Sequence, residues 1–141
     1  MLTDYGNVME RAIVSDDRQA IEDVLIRLAD QQGADAVFTT GGTGFAESDV
    51  TPEATMAVVS KLVPGIPEAM RYKSMMHTDR AMLSRAVAGI RGHTLIVNLP
   101  GSPKAVAENL AVFLPVLEHS LSTLRGETMD CAVTANENGK L

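Results

Sequence analysis

Three glycines, Gly41, Gly42 and Gly44, leave a short apolar run with Thr43 between them in the stretch "VFTTGGTGFAESDVTPEAT" (37–55), and a carboxylate, Asp49, stands just ahead of a proline-led helix start. Glycines let backbone N–H groups come close to a ligand, and a helix N-terminus attracts anions. Asp49 is itself an anion, so a phosphate beside it calls for a cation between the two. The combination points to a metal–nucleotide site. Two more junctions carry suggestive residues: Ser15-Asp16-Asp17, and Asn98-Leu99-Pro100-Gly101-Ser102-Pro103. Mg²⁺ prefers oxygen ligands and bridges to substrate phosphates. Two carboxylates, Asp16 and Asp49, with two glycine loops on one rim could hold a phosphate chain through it. The chemistry would be phosphoryl or nucleotidyl transfer, where positioning and charge neutralisation do most of the catalysis.

Each feature also has a plainer reading. Asp16 could serve only as a helix cap, Gly41 to Gly44 as a tight turn, and 98–103 as a turn before a capped helix. No Lys-Ser or Lys-Thr follows the glycines, which excludes a P-loop, and the third glycine of the dinucleotide fingerprint is missing. Met70, Met75, Met76 and Met82 read as flexible packing rather than a cofactor box. His77, His93 and His119 are too scattered for a zinc site.

The junctions act together only if the surrounding elements bring them to one edge. "VMERAIV" (8–14) reads as a strand. A helix follows over 17–32, with Ile21, Val24, Leu25 and Leu28 on one face. Asp16 caps it with Gln19 in the capping-box position, and Gly33 suits its end. Residues 36–40 form a second strand. Thr51-Pro52-Glu53 opens a helix over 52–61 with a cap, a preset first residue and an acid in the first turn. Pro64 and Pro67 interrupt the chain, and a short helix runs from about Pro67 to Met75. Residues 83–99 read as an antiparallel hairpin around Arg91-Gly92, its second strand over 94–99. Ser102 caps and Pro103 opens a helix over 103–124, which Pro115 is expected to kink or restart. Residues 127–141 show little apolar periodicity and read as a mobile tail, leaving 1–126 as the folded domain.

This order predicts one three-layer α/β/α domain, with a mostly parallel sheet and one antiparallel hairpin. Ligands in such sheets bind beyond the carboxyl ends of the strands. Parallel strands 8–14, 36–40 and 94–99 would put all three junctions on that rim.

Composition narrows the partners. The 141 residues carry 12 basic and 18 acidic side chains, a net charge of −6. No basic excess favours nucleic acid. At 45 % apolar residues the chain is ordinary for a globular protein,. A single cysteine, Cys131, fits a reducing compartment. With no bilayer-length apolar run and no basic-then-apolar export signal, the expected location is the cytoplasm, with no membrane partner.

The segments "TTGGTGFAESDVTPEAT" and "AMLSRAVAGIRGHTLIVNLPGSPKAVAENL", with the preceding "SDD", resemble the MoaB/Mog family of molybdenum-cofactor biosynthesis proteins, including the gephyrin G domain. The likeness covers residues 6 to about 126. It implies a molybdopterin adenylyltransferase, which moves AMP from Mg-ATP onto the terminal phosphate of molybdopterin and releases pyrophosphate. By motif, Gly41, Gly42, Thr43 and Gly44 would border nucleotide and pterin, and Asp49 would be the essential carboxylate and the Mg²⁺ ligand. Asp16 would match the acidic residue of the Pro-Asp-Asp segment, with Ser15 in place of proline. Asn98, Pro100, Gly101 and Ser102 would form the third binding loop, and Ser84 lies in the Leu-Ser-Arg segment. The resemblance further implies a homotrimer or a hexamer of trimers, and the molybdenum-insertion protein as a partner. Family members begin with an additional strand and helix, whereas this chain opens at "LTDYGNV", where that helix should be finishing. Loss of that strand would fit a second reading: a non-catalytic pterin-binding or scaffold paralogue.

Overall fold

A computed structural model of the chain describes residues 2–127. Helix α1 (Arg18–Ile26) continues into a π turn, Arg27–Gln31, and is followed by β1 (Ala36–Thr40) and α2 (Thr51–Val58). Then come β2 (Lys61–Leu62), α3 (Gly65–Met75), a 3₁₀ turn Asp79–Leu83, the hairpin β3 (Ala88–Arg91) and β4 (Thr94–Leu99), and the long α4 (Pro103–Leu124). The strands lie in the order β1-β4-β3-β2. β1 runs parallel to β4, in register from Ala36 opposite Leu95 to Thr40 opposite Leu99. β3 is antiparallel to β4 and to β2.

Successive strand side chains point to opposite faces, and that alternation builds two cores. Leu95, Val97 and Leu99 face α3 and α4, joining Met70, Leu110, Phe113, Leu114 and Leu117. Ile96 and Val37 face the other way and pack with Ile21, Leu25, Ala54 and Val58 of α1 and α2. Every residue of β4 is buried. The three-layer α/β/α arrangement follows, with a mixed sheet whose parallel part is the β1–β4 pair.

Several expectations need correction. Residues 7–15 form no strand. A strand exists only where another supplies its hydrogen bonds, and here Val8, Met9 and Ile13 stay exposed at 43, 64 and 105 %,. Asp17, not Asp16, caps α1 by accepting from the Ala20 amide (2.8 Å), and Gln19 donates forward to Asp23 instead of closing a capping box. The N-cap of α2 is Val50, with no side-chain cap, and Thr51 lies inside the helix. That helix ends at Val58 rather than 61, because Lys61 and Leu62 pair with β3. α3 starts at Gly65, just after Pro64, rather than at Pro67. α4 runs unbroken through Pro115, which leaves the Ala111 carbonyl without its helical donor,. Of the methionines read as packing, Met70 is buried while Met75, Met76 and Met82 are exposed. The tail read from 127, with Cys131, lies outside the described residues from 128 onward.

The extended segment is held by Val14, packed against the α1/α2 core, and by a polar tether. The Glu10 carboxylate accepts from both Arg27 Nη atoms (2.9 and 2.6 Å) and from Gln32 Nε2 (2.6 Å). The Arg27 guanidinium, helped by the Gln32 amide, lowers the Glu10 carboxyl to about 2. A depressed acid contributes stability that is present above its unfolded value and lost as pH falls through the folded one. The tether should therefore hold at neutral pH and weaken from about pH 4.5 toward about 2. The Arg27 side-chain N–H resonances should lose their ion-pair shift across that window, and Glu10→Gln should show the weakened state already at pH 7.

Candidate functional site

The glycine loop begins where β1 passes β4. The Gly41 amide donates to the Leu99 carbonyl (3.1 Å), so it is committed to the sheet. Among the described residues the amides of Gly42, Thr43 and Gly44 have no acceptor. Gly42 has φ +66°, and a Cβ there would stand 2.2 Å from Thr51 Oγ1. Its carbonyl accepts from the Thr51 amide (3.2 Å), which lays the loop against the first turn of α2. A Cβ on Gly44 would come within 2.8 Å of Asp49 Oδ2. Two of the glycines are thus required by close approach, beyond what a turn needs.

Asp49 closes the loop on itself. Its Oδ2 accepts from the Ala46 amide (2.9 Å), and its own amide donates to the Ala46 carbonyl (2.9 Å). Oδ1 has no partner among the described residues. The carboxylate does not cap α2, whose N-cap is Val50. It lies against Gly44, the last residue of the glycine loop, and two residues ahead of the start of α2, where the backbone favours negative charge,.

Arg85 organises this corner, and nothing in the local sequence announced it. Its amide donates to the Thr43 carbonyl (2.9 Å), Nε to the Gly44 carbonyl (2.7 Å) and Nη2 to the Asp49 carbonyl, while Nη1 pairs with the Glu53 carboxylate. These side-chain bonds reach 41, 36 and 32 positions back along the chain. The Leu-Ser-Arg segment, where the resemblance points to Ser84, contains Arg85 without marking its contacts. The Arg85 guanidinium holds the Glu53 carboxyl below its ordinary range, with a smaller contribution from Arg18. Glu53 Oε2 is buried without a hydrogen-bond partner.

The third loop meets the first backbone to backbone: a Cβ on Gly101 would lie 3.5 Å from the Gly41 Cα. The parallel pairing of β1 and β4 therefore brings two of the three junctions together. Within that loop, Ser102 Oγ accepts from the Ala105 amide (3.3 Å) and caps α4. Asn98 is completely buried. Its Nδ2 donates to Thr39 Oγ1 (3.0 Å) and Thr55 Oγ1 (2.9 Å), and Oδ1 accepts from the Val87 amide (3.2 Å). Asn98 thus ties β1, α2 and the β3 approach from beneath the rim, with both amide protons already committed. Ser84 and Pro100 line a neighbouring cleft of about 200 Å³ with Arg71, Arg80, Ser74 and Thr78. Arg71 donates from Nη1 to the Ser84 (3.3 Å) and Ala86 (3.0 Å) carbonyls, which fixes one wall.

Asp16 sits exposed in the bend before α1. No strand end carries it to the rim. α1 packs against α2 through Ile21, Leu25, Ala54 and Val58.

Mg²⁺ can be tested against these residues. Among the described residues no three His, Cys, Asp or Glu side chains cluster as a metal site. Asp49 Oδ1 is a single open carboxylate oxygen. That set suits an ion that keeps its waters and arrives on substrate phosphates, the ordinary mode for Mg²⁺, and not a resident metal. No helix among the described residues is long and apolar enough to cross a membrane.

Known proteins resemble this chain in sequence and fold. A sequence profile described as "Probable molybdopterin binding domain" matches residues 1–119. A molybdopterin adenylyltransferase of Helicobacter pylori is 45 % identical over 117 residues, 83 % of this chain and 66 % of that protein. The chain thus spans just under two thirds of that relative's length. The crystal structure of the molybdopterin biosynthesis enzyme MoaB of Thermus thermophilus superposes with a TM-score of 0.74 at 50 % identity, covering 79 % of this chain and 70 % of that one. A structure of MogA gives a TM-score of 0.81 at 37 % identity, covering 87 and 81 %. The chain belongs to the molybdopterin-binding domain family that includes MoaB and MogA.

Proposed function

We propose that this chain acts in molybdenum cofactor biosynthesis as a molybdopterin adenylyltransferase, transferring AMP from Mg-ATP to the molybdopterin phosphate. The observation that carries the reading is the Asp49 carboxylate, turned onto Ala46 with Oδ1 open and lying against Gly44 of a loop whose Gly42, Thr43 and Gly44 amides are uncommitted among the described residues. The activity named for the 45 % identical relative supports it.

In this reading the glycine-loop amides bind phosphate oxygens, and Asp49 orients the nucleotide's Mg²⁺ through Oδ1. The ion would neutralise charge developing on the leaving pyrophosphate. No nucleophilic side chain is needed. An oxygen of the pterin phosphate forms the new bond to the α-phosphorus of ATP, the bond between α-phosphorus and bridging oxygen breaks, and pyrophosphate departs. Asp16 is a second candidate for orienting the attacking phosphate or the ion. Gly41, Pro100, Gly101 and Ser102 shape the floor between the two loops, and Ser84 stands in the adjoining cleft. The protein works as a homotrimer or a hexamer of trimers in the cytoplasm, delivering its product to a molybdenum-insertion protein.

Purified protein given Mg-ATP should release pyrophosphate only when molybdopterin is added. Tight pterin binding with no pyrophosphate would identify a non-catalytic binding or scaffold protein instead. Light scattering should give a mass of three or six chains, and a monomer would contradict the assembly.

A further inference from the structure

We propose that Arg85 is the positioning residue of this site, fixing the Asp49 carboxylate by closing the neck of the loop that carries it. The inference rests on the reading that Asp49 acts on substrate phosphate. Gly44 and Asp49 are the first and last residues of the loop 44–49, and one guanidinium donates to the carbonyls of both. The bonds within the loop beyond that neck are the two between Asp49 and Ala46. Phe45, Ala46, Glu47 and Ser48 are otherwise exposed. Val50 and Thr51 anchor the chain just after Asp49, so the clamp and the Ala46 pair are what set the loop on the other side of the carboxylate.

The same side chain is anchored outside the loop. Its backbone amide holds the Thr43 carbonyl, and its Nη1 is paired with Glu53 in the first turn of α2. Glycine loop, loop neck and helix start are therefore referenced to one rigid, planar group. Arginine suits this task and lysine does not, because several donors must point in fixed directions from one plane. The Glu53 carboxylate also balances the guanidinium charge, and each of the three guanidinium nitrogens of Arg85 donates to the protein.

The Ala46 amide offers a direct readout, since a carboxylate acceptor shifts its proton resonance downfield. In Arg85→Lys and Arg85→Gln this resonance should move upfield toward its position in Asp49→Ala, which has no side-chain acceptor, and kcat should fall by about 30-fold or more with KM for Mg-ATP within about twofold, as expected when a preorganised electrostatic group is misplaced. Glu53→Gln should keep the Ala46 resonance, because the two neck bonds survive. Arg91→Lys, which weakens the remote Arg91–Asp30 pair, should leave turnover unchanged and measures the effect of an ordinary lost ion pair. An unmoved Ala46 resonance in both Arg85 variants would overturn the proposal. So would a loss of turnover no larger than in Arg91→Lys. Should the wild-type protein show no adenylation, the reading of the function fails, and the Ala46 resonance still decides whether Arg85 positions Asp49.

Discussion

Asp49→Asn is expected to lower turnover by about 10²-fold or more while leaving the melting temperature within a degree or two of wild type; losses of this size follow removal of single groups that stabilise developing charge. The geometry makes the two effects separable. An asparagine can still offer its side-chain oxygen to the Ala46 amide, so the loop keeps its closing bond. What disappears is the negative charge and the open carboxylate oxygen. A helix cap would behave in the opposite way, costing about 1 kcal/mol of stability and leaving chemistry nearly intact. Since Asp49 does not cap α2, that pattern is not expected. Turnover close to wild type with a lowered melting temperature would remove Asp49 from the mechanism.

The second large effect is structural. Gly42→Ala would place a methyl 2.2 Å from Thr51 Oγ1 in a backbone conformation of φ +66°. The left-handed conformation costs about 1–2 kcal/mol for a residue with a Cβ. Forcing a methyl into an occupied site adds about 1–3 kcal/mol. Thr51 is buried at 5 % and lies in the first turn of α2, so relief requires the loop and the helix start to separate. Denaturant unfolding should show a loss of at least about 2 kcal/mol, and adenylation should fall with it as the Gly42 to Gly44 amides leave their places. Gly41→Ala is the control. Its φ of +88° carries a strain cost, but no atom lies within 4 Å of the added methyl. Equal losses in the two variants would mean that contact with Thr51 is not what fixes the loop.

Much of this corner could be read from residue order alone, because local rules governed it. Pro103 after Ser102 marked the start of α4, the cap formed as expected, and the Arg91-Gly92 turn marked the hairpin, whose first strand starts only at Ala88. Gly44 and Asp49 were singled out from spacing, and they do meet in space. The misreadings share a physical cause. Residues 8–14 have strand-like side chains, but pairing decides a strand, and pairing is a property of the partner. Asn98 looked like a ligand in a loop motif because nothing in sequence shows that Thr39, Thr55 and Val87 would converge on it. Arg85 was passed over for the same reason: all three of its side-chain acceptors lie more than thirty positions earlier. Long-range polar contacts leave no periodic trace, and the positioning of this site depends on them.

The most direct measurement follows the α-phosphorus. In a single turnover with ATP labelled at that atom, Mg²⁺ and molybdopterin, the label should appear on the pterin as an adenylate, with all pyrophosphate unlabelled, and Asp49→Asn should slow that appearance by about 10²-fold. Label that stays in ATP while both ligands are bound would contradict the adenylyltransferase reading. Label that transfers equally fast in Asp49→Asn would contradict the role given to the carboxylate at the glycine loop.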